Sequence, residues 1–183
     1  MKKFALIGTS CIGKTTLLRE LEFILSQQLG KKVITVPEAS RDYFQKRKVR
    51  KPFSYFNQRN IQNLARKLEE EAEKKNPDII LCDRSVLDAV AYVNAVGGEV
   101  EARRLWQKEK NWLTTYVHFF LLDPEGIPYQ TDAIRRERSE TREAFHQSFV
   151  AILGKVNLPF TLVSGRKDQR LETMIKIITS SMQ

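Results

Sequence analysis

The sequence predicts an α/β fold in which helices cover both faces of a parallel β-sheet. Short apolar runs recur at residues 4–7, 33–36, 78–82, 117–122 and 160–163, and amphipathic helical stripes fall between them. Each run is followed within two residues by glycine or by polar and charged residues, and ligands of such sheets bind at the carboxyl ends of the strands. At 183 residues the chain suits one domain, spanning 1–183, because no composition break or Pro/Gly/Ser-rich linker divides it.

The first run, Phe4-Ala5-Leu6-Ile7, leads into Gly8-Thr9-Ser10-Cys11-Ile12-Gly13-Lys14-Thr15, a complete G-x-x-x-x-G-K-[ST] phosphate loop followed by Thr16. Gly8 and Gly13 let the backbone turn tightly, so that main-chain N–H groups from Ser10 to Thr16 point at an anion. The next helix adds its positive dipole end. Lys14 is expected to reach the β- and γ-phosphates, and the Thr15 hydroxyl to ligate Mg²⁺. The pattern predicts a bound nucleoside triphosphate. Leu17, Leu18, Leu21, Phe23, Ile24, Leu25 and Leu29 mark the helix as mostly buried, with Gly30 suited to its C-cap.

The second run, 33–36, precedes Pro37-Glu38-Ala39-Ser40-Arg41. Glu38 can serve as the base that receives a proton from an attacking hydroxyl, or it can favour the positive start of the next helix. A stripe of Ile61, Leu64, Ala65, Leu68 and Ala72 then predicts a helix that stops before Asn76-Pro77. The third run ends in Asp83-Arg84-Ser85, an acidic residue closing a buried strand. That is a Walker B arrangement in which Asp83 holds Mg²⁺, while Ser85 and Asp88 also read as a helix cap. Arg84 is placed to hold a substrate anion or the base, and Asp88 to contact substrate.

Val86, Leu87, Val90 and Val93 predict a helix up to Gly97-Gly98, and a further helix covers about 100–112 with Trp106 and Trp112 as packing anchors. After the fourth run comes a polar, basic stretch with Asp132, Arg135, Arg136, Arg138 and Arg142. We read about 124–142 as a lid whose arginines close over the triphosphate. The competing reading of this charge run is a solvated helix face, since Glu137, Glu140 and Glu143 are interspersed. Phe145, Phe149, Ile152, Leu153 and Val156 predict the next helix. The fifth run ends at Ser164-Gly165-Arg166, a resting place for adenine, and Leu171, Met174, Ile175 and Ile178 predict the last helix.

Composition narrows the classes. The two cysteines, Cys11 and Cys82, build neither a disulfide framework nor a zinc site. No apolar run is long enough to span a bilayer, so a soluble, cytoplasmic protein is expected. The formal net charge of +9 favours anionic partners. A basic cluster, Lys46-Arg47-Lys48-Val49-Arg50-Lys51, lies close to Phe53, Tyr55 and Phe56 and reads as a solvated loop, a grip for a phosphorylated substrate or a nucleic-acid contact. His118 and His146 have no visible nucleophile partner and are assigned structural roles.

Taken together, the phosphate loop with Thr16, Glu38-Ala39-Ser40-Arg41-Asp42-Tyr43, Asp83-Arg84-Ser85 and Asp132-Ala133-Ile134-Arg135 resemble the P-loop ATPase/kinase family that includes the ribosylnicotinamide kinase domain of bacterial NAD regulators. The likeness runs from the first strand to the last helix. It implies a three-layer α/β/α P-loop NTPase fold, a five-stranded parallel sheet in the order 2-3-1-4-5 and an arginine-bearing lid. It implies triphosphate binding by Gly8, Gly13, Lys14 and Thr15, and substrate-side roles for Glu38 and Arg41. It also places Asp83 at the acidic strand end, Asp132 and Arg135 in the lid and Arg142 on the following helix. Those kinases carry Asp-Thr-Asp where this chain has Asp83-Arg84-Ser85, a form more similar to deoxynucleoside and thymidylate kinases. Nicotinamide riboside is therefore not transferred as the substrate.

The leading expectation is an ATP-dependent kinase acting on a hydroxyl of a nucleoside or related small metabolite. Lys14, Glu38, Asp83, Arg84 and Arg135 are its catalytic set, and Mg²⁺ sits on Thr15 and Asp83. The rival is an ATPase or binding switch with a nucleic-acid or phosphoinositide partner, and a nucleic-acid end kinase lies between the two. No Asn/Thr-Lys-x-Asp guanine-reading segment occurs, which favours ATP over GTP.

Overall fold

All five apolar runs form strands, and all pair in parallel: β1 (Lys2–Ile7), β2 (Val33–Val36), β3 (Ile79–Asp83), β4 (His118–Leu122) and β5 (Phe160–Val163). The computed structural model describes residues 1–128 and 141–182. The strand order is β2-β3-β1-β4-β5, as the resemblance implies. The chain leaves β1 toward one edge and later returns to its other side, so the crevice at the end of β1 is a topological switch point.

Alternation along the strands assigns the two faces. Phe4 and Leu6 point to one side, where they pack with Leu17, Leu21 and Leu25 of α1 (Lys14–Gln27) and with Met174 and Ile178 of α7 (Lys167–Met182). Ala5 and Ile7 point to the other, against Val86, Leu87 and Val90 of α4 (Val86–Ala95) and Phe145 and Phe149 of α6 (Arg142–Lys155). The helices α3 (Tyr55–Glu73) and α5 (Glu99–Leu113) complete that layer, while α2 (Ala39–Gln45) packs on α3 beside the end of β2. Burial of this kind contributes roughly 25 cal/mol per Å² of apolar surface and sets the two layers around the sheet.

Three expectations are corrected. The run 160–163 reads as a buried strand, yet only Val163 of β5 is buried, because β5 is the sheet's edge and its other side chains lack a second layer. Phe23 is 64% exposed, since it lies on the side of α1 opposite Leu21 and Leu25. Helix α1 ends at Gln27, which leaves Leu29 exposed beyond it, and the turn is made by Gly30 at φ 60° with Lys31 N–H donating to the Leu25 carbonyl at 3.2 Å.

One polar cluster is built into the core. Lys3 on β1 is fully buried, with Nζ 3.1 Å from Glu69 and 2.9 Å from Glu73 and 3.9 Å above the Trp112 ring. Trp112 Nε1 and the Tyr116 hydroxyl both donate to Glu69. One ammonium faces two carboxylates there, and burial still raises the Glu69 pKa against Lys3, Tyr116 and Trp112, so part of the desolvation cost of the pair is retained. Trp112 thus anchors α5 to α3.

Candidate functional site

The turn after β1 is shaped by backbone that L-residues avoid. Gly8 and Gly13 have φ of 124° and 86°, and Cys11 between them lies at 60°. A Cβ on Gly8 would sit 2.9 Å from Ile12 Cδ1 and 3.1 Å from the Leu122 carbonyl, so only glycine fits there. Ile12 is buried beneath the loop, and Gly13 is the N-cap of α1. Lys14 is buried inside the turn, and its ammonium donates to the carbonyls of Gly8, at 3.1 Å, and Thr9.

Parallel pairing of β1 with β3 sets Leu6 opposite Asp83, which brings the acidic strand end beside the start of α1. The Thr15 hydroxyl donates to Asp83 Oδ2 at 2.6 Å, while Asp83 Oδ1 is buried with no hydrogen-bond partner among the described residues. Burial raises the Asp83 pKa and the nearby Glu38 charge adds to the rise, against Lys14, Thr15 and Arg84. An under-satisfied carboxylate of this kind fits a cation. Among the described residues no group of three or more His, Cys, Asp or Glu could hold a metal, so Mg²⁺ at Thr15 and Asp83 would complete its ligands from phosphate and water oxygens.

Arg84 ties the strand ends together. It holds φ 76°, a left-handed conformation that costs a non-glycine residue roughly 1–2 kcal/mol. Its contacts over-determine that conformation: Nε donates to Glu38 at 3.0 Å, Nη1 to Asp88 at 3.0 Å, to Tyr92 Oη at 2.7 Å and to the Gly8 carbonyl at 2.9 Å, and Nη2 to Ser10 Oγ at 3.2 Å. Burial pushes the Glu38 carboxyl up, but Arg84 and Lys14, with hydrogen bonds from Ser40 and Arg84, outweigh it and hold the pKa at about 2. Asp88 is raised by burial in spite of Arg84, and it closes the capping box of α4 by accepting from the Ser85 N–H at 2.8 Å. The helix-cap reading of this segment is present in Ser85 and Asp88, and Asp83 faces the loop beside it.

The loop separates two cavities. The inner one, small at about 50 Å³, partly open and largely apolar, is lined by Ser10, Glu38, Arg41, Asp83, Arg84 and Asp88 together with Phe44, Phe53 and Tyr92. The outer one, of about 830 Å³, runs from Cys11, Gly13 and Thr16 past Gly126 and Ile127 to Gly165 and Arg170. Asp132 and Arg135, with Arg136 and Arg138, lie outside the described residues. Arg142 does not line the outer cavity; its Nη1 donates to the carbonyl of Ile127, which does.

Two residues on the cavity walls escape sequence reasoning. Arg170 is 3% exposed and clasps the carbonyls of Gly165 at 2.7 Å and Asp123 at 2.9 Å, locking the ends of β4 and β5 around the outer cavity. Its signal is a cation in the first turn of a helix, where the dipole disfavours one. Gln58 lies buried on the inner wall, with Nε2 bonded to the Pro52 carbonyl at 2.8 Å. Nothing in its local sequence distinguishes it.

A glycine-shaped amide loop between a central strand and a helix, with an acidic strand end beside it, makes this a nucleotide-dependent P-loop protein of the α/β NTPase type. The sequence model of the AAA domain family matches residues 3–170, and the chain belongs to that family. It is similar in fold to a solved structure described as NadR protein in complex with NR, with a TM-score of 0.74 over 98% of this chain. At 17% identity that likeness shows the fold alone, and this chain spans about half of that one, 51% of its length. No curated protein matches the sequence. No described helix is long and apolar enough to cross a membrane.

Proposed function

We propose that this chain is a kinase that transfers the γ-phosphoryl group of ATP to a hydroxyl of a nucleoside-like small metabolite. The observation that carries the reading is the second cavity on the far side of the phosphate loop, walled by Glu38, Arg84 and Asp88; at about 50 Å³ it must widen to admit a nucleoside. A protein that only hydrolyses or senses nucleotide needs the outer cavity; phosphoryl transfer needs a dry pocket for an acceptor as well. The apolar lining by Phe44, Phe53 and Tyr92 suits a planar, uncharged acceptor.

In this reading the loop amides and Lys14 would bind the triphosphate, and Thr15 with Asp83 would hold Mg²⁺. Held there, the metal would supply charge neutralisation for the transferred phosphoryl group. Glu38, ionised at neutral pH because its pKa is held at about 2, accepts a hydrogen bond from the acceptor hydroxyl and orients it. A base this weak suits the loose transition state of phosphoryl transfer, where the proton leaves the hydroxyl late. The acceptor oxygen bonds to the γ-phosphorus, the bond to ADP breaks, and the proton passes to Glu38. Arg84 keeps the carboxylate aimed from the acceptor side, and Arg41, Asp88 and the lid residues Asp132 and Arg135 remain proposed contacts.

The test is a nucleoside panel with Mg-ATP, read by mass for products that gain one phosphate. One member should be converted, and Glu38→Gln should slow that conversion about a hundredfold or more while ATP still binds. No phosphorylated product, with basal ATP hydrolysis unchanged in Glu38→Gln, would instead favour the nucleotide-dependent switch.

A further inference from the structure

The helix α2 separates the inner cavity from a third concavity that the kinase reading leaves unused. Ala39, Ser40 and Phe44 face the inner cavity, whereas Asp42, Tyr43 and Lys46 line an open groove of about 1060 Å³ on the other side. The groove is completed by the 46–51 loop and by the first turns of α3.

Its charge is one-sided. Lys46, Arg47, Lys48, Arg50 and Lys51 are all exposed. Lys46 pairs with Asp42 at 2.6 Å, and the Arg47 guanidinium stacks 4.4 Å above the Tyr43 ring. Among the described residues no carboxylate lies within ion-pair distance of Lys48, Arg50 or Lys51. With Lys46 met by Asp42, the four other cations of this short loop repel each other unless an anion joins them.

The loop is also braced. Asn57 Nδ2 donates to the Lys51 carbonyl at 2.8 Å, the Ser54 N–H donates to the same carbonyl at 3.1 Å, and Gln58 Nε2 holds Pro52. The Tyr43 hydroxyl donates to Asn57 Oδ1 at 2.9 Å, which fastens α2 to α3 across the floor. Beside these cations Phe56 stands 71% exposed at the start of α3, with Asn60 one turn on. A flat anionic surface would not fill a concave groove, and a single phosphate would engage only part of the loop. A flexible polyanion carrying planar rings matches both features, its phosphates on the cations and a base on Phe56.

We propose that this groove binds single-stranded nucleic acid. The inference stands on the groove alone and does not depend on phosphoryl transfer in the inner cavity.

The experiment is fluorescence anisotropy of a labelled oligothymidine titrated with the intact protein over a range of salt. Binding should weaken with salt at a slope of about −0.7 per phosphate neutralised, hence about −2 or steeper if Lys48, Arg50 and Lys51 each hold one. Replacing those three together by alanine should flatten the slope by about two and cost at least tenfold in affinity at low salt. Phe56→Ala should weaken binding about tenfold with the slope unchanged. Both variants alter exposed side chains, and unchanged thermal melting verifies that they fold. No binding at low salt overturns the proposal. So does binding that inorganic polyphosphate matches and Phe56→Ala leaves intact, or a preference for phosphatidylserine vesicles over the oligonucleotide.

Discussion

Replacing Arg84 by methionine keeps an apolar stem in the same space and removes the guanidinium that faces Glu38, Asp88, Tyr92, Ser10 and the Gly8 carbonyl. Both carboxylates are largely buried, with side-chain exposures of 15% and 6%, so neither can recover its lost partner from water. Removing one member of a buried ion pair costs about 3–5 kcal/mol. For a chain of this size that lowers the melting temperature by about 10 °C. The pH response gives an independent estimate. Glu38 falls from an ordinary 4.5 to about 2 on folding, a contribution of about 3 kcal/mol. Because the folded pKa is depressed, that stability is fully present above pH 4.5 and is lost as pH falls from 4.5 through 2. Asp83 and Asp88 act oppositely: their raised folded pKa values mean a cost at neutral pH that is relieved as they protonate. In Arg84→Met the burial effect on Glu38 is no longer outweighed, its pKa rises, and the melting gap to the unmodified protein should narrow between pH 7 and pH 4. Calorimetric melts of Arg84→Met, Glu38→Gln and the double variant should show strong coupling, with Glu38→Gln far less harmful once Arg84 is gone. A melting gap below about 2 °C, or strictly additive effects, would refute the assignment of Arg84 as the tie between the loop and the acceptor side.

Two further outcomes follow from the loop. Gly8→Ala should destabilise by more than about 2 kcal/mol, since φ of 124° is joined by contacts at 2.9 and 3.1 Å; Gly13→Ala has open space around its Cβ and should cost about 1–2 kcal/mol by thermal melting. Asp83→Asn should leave the melting temperature at neutral pH equal or higher, because a charge costly to bury is gone, yet raise the Mg²⁺ concentration needed for tight ATP binding about tenfold or more in calorimetric titrations.

The sequence was most readable where neighbours in the chain are also neighbours in space. The phosphate loop is continuous, and β1 and β3 are buried on both faces, so their apolar runs are unmistakable. The same kind of run misleads at β5, because three apolar residues and a threonine carry no mark of a sheet edge. The apolar stripe from Ile61 also hides the true start of α3 at Tyr55, where Ser54 caps the helix by accepting from the Asn57 N–H. Glu38, Asp83 and Arg84 were visible as strand-end residues, and a hold of Arg84 on the base was one of two readings, with nothing in the sequence to choose it over a substrate anion. Glu38 and Arg84 stand 46 positions apart and meet only because β2 and β3 are adjacent. Arg170 reaches Asp123 across 47 positions, and no local pattern announces that contact.

The claim on which the rest depends is that the turn after β1 holds the phosphates of a nucleoside triphosphate, with Lys14 at its centre. Isothermal titration calorimetry of Mg-ATP against the unmodified chain and Lys14→Met tests it most directly. Affinity should drop at least tenfold, about 1.4 kcal/mol, in a variant that still melts cooperatively. Equal affinity in the two proteins would contradict it.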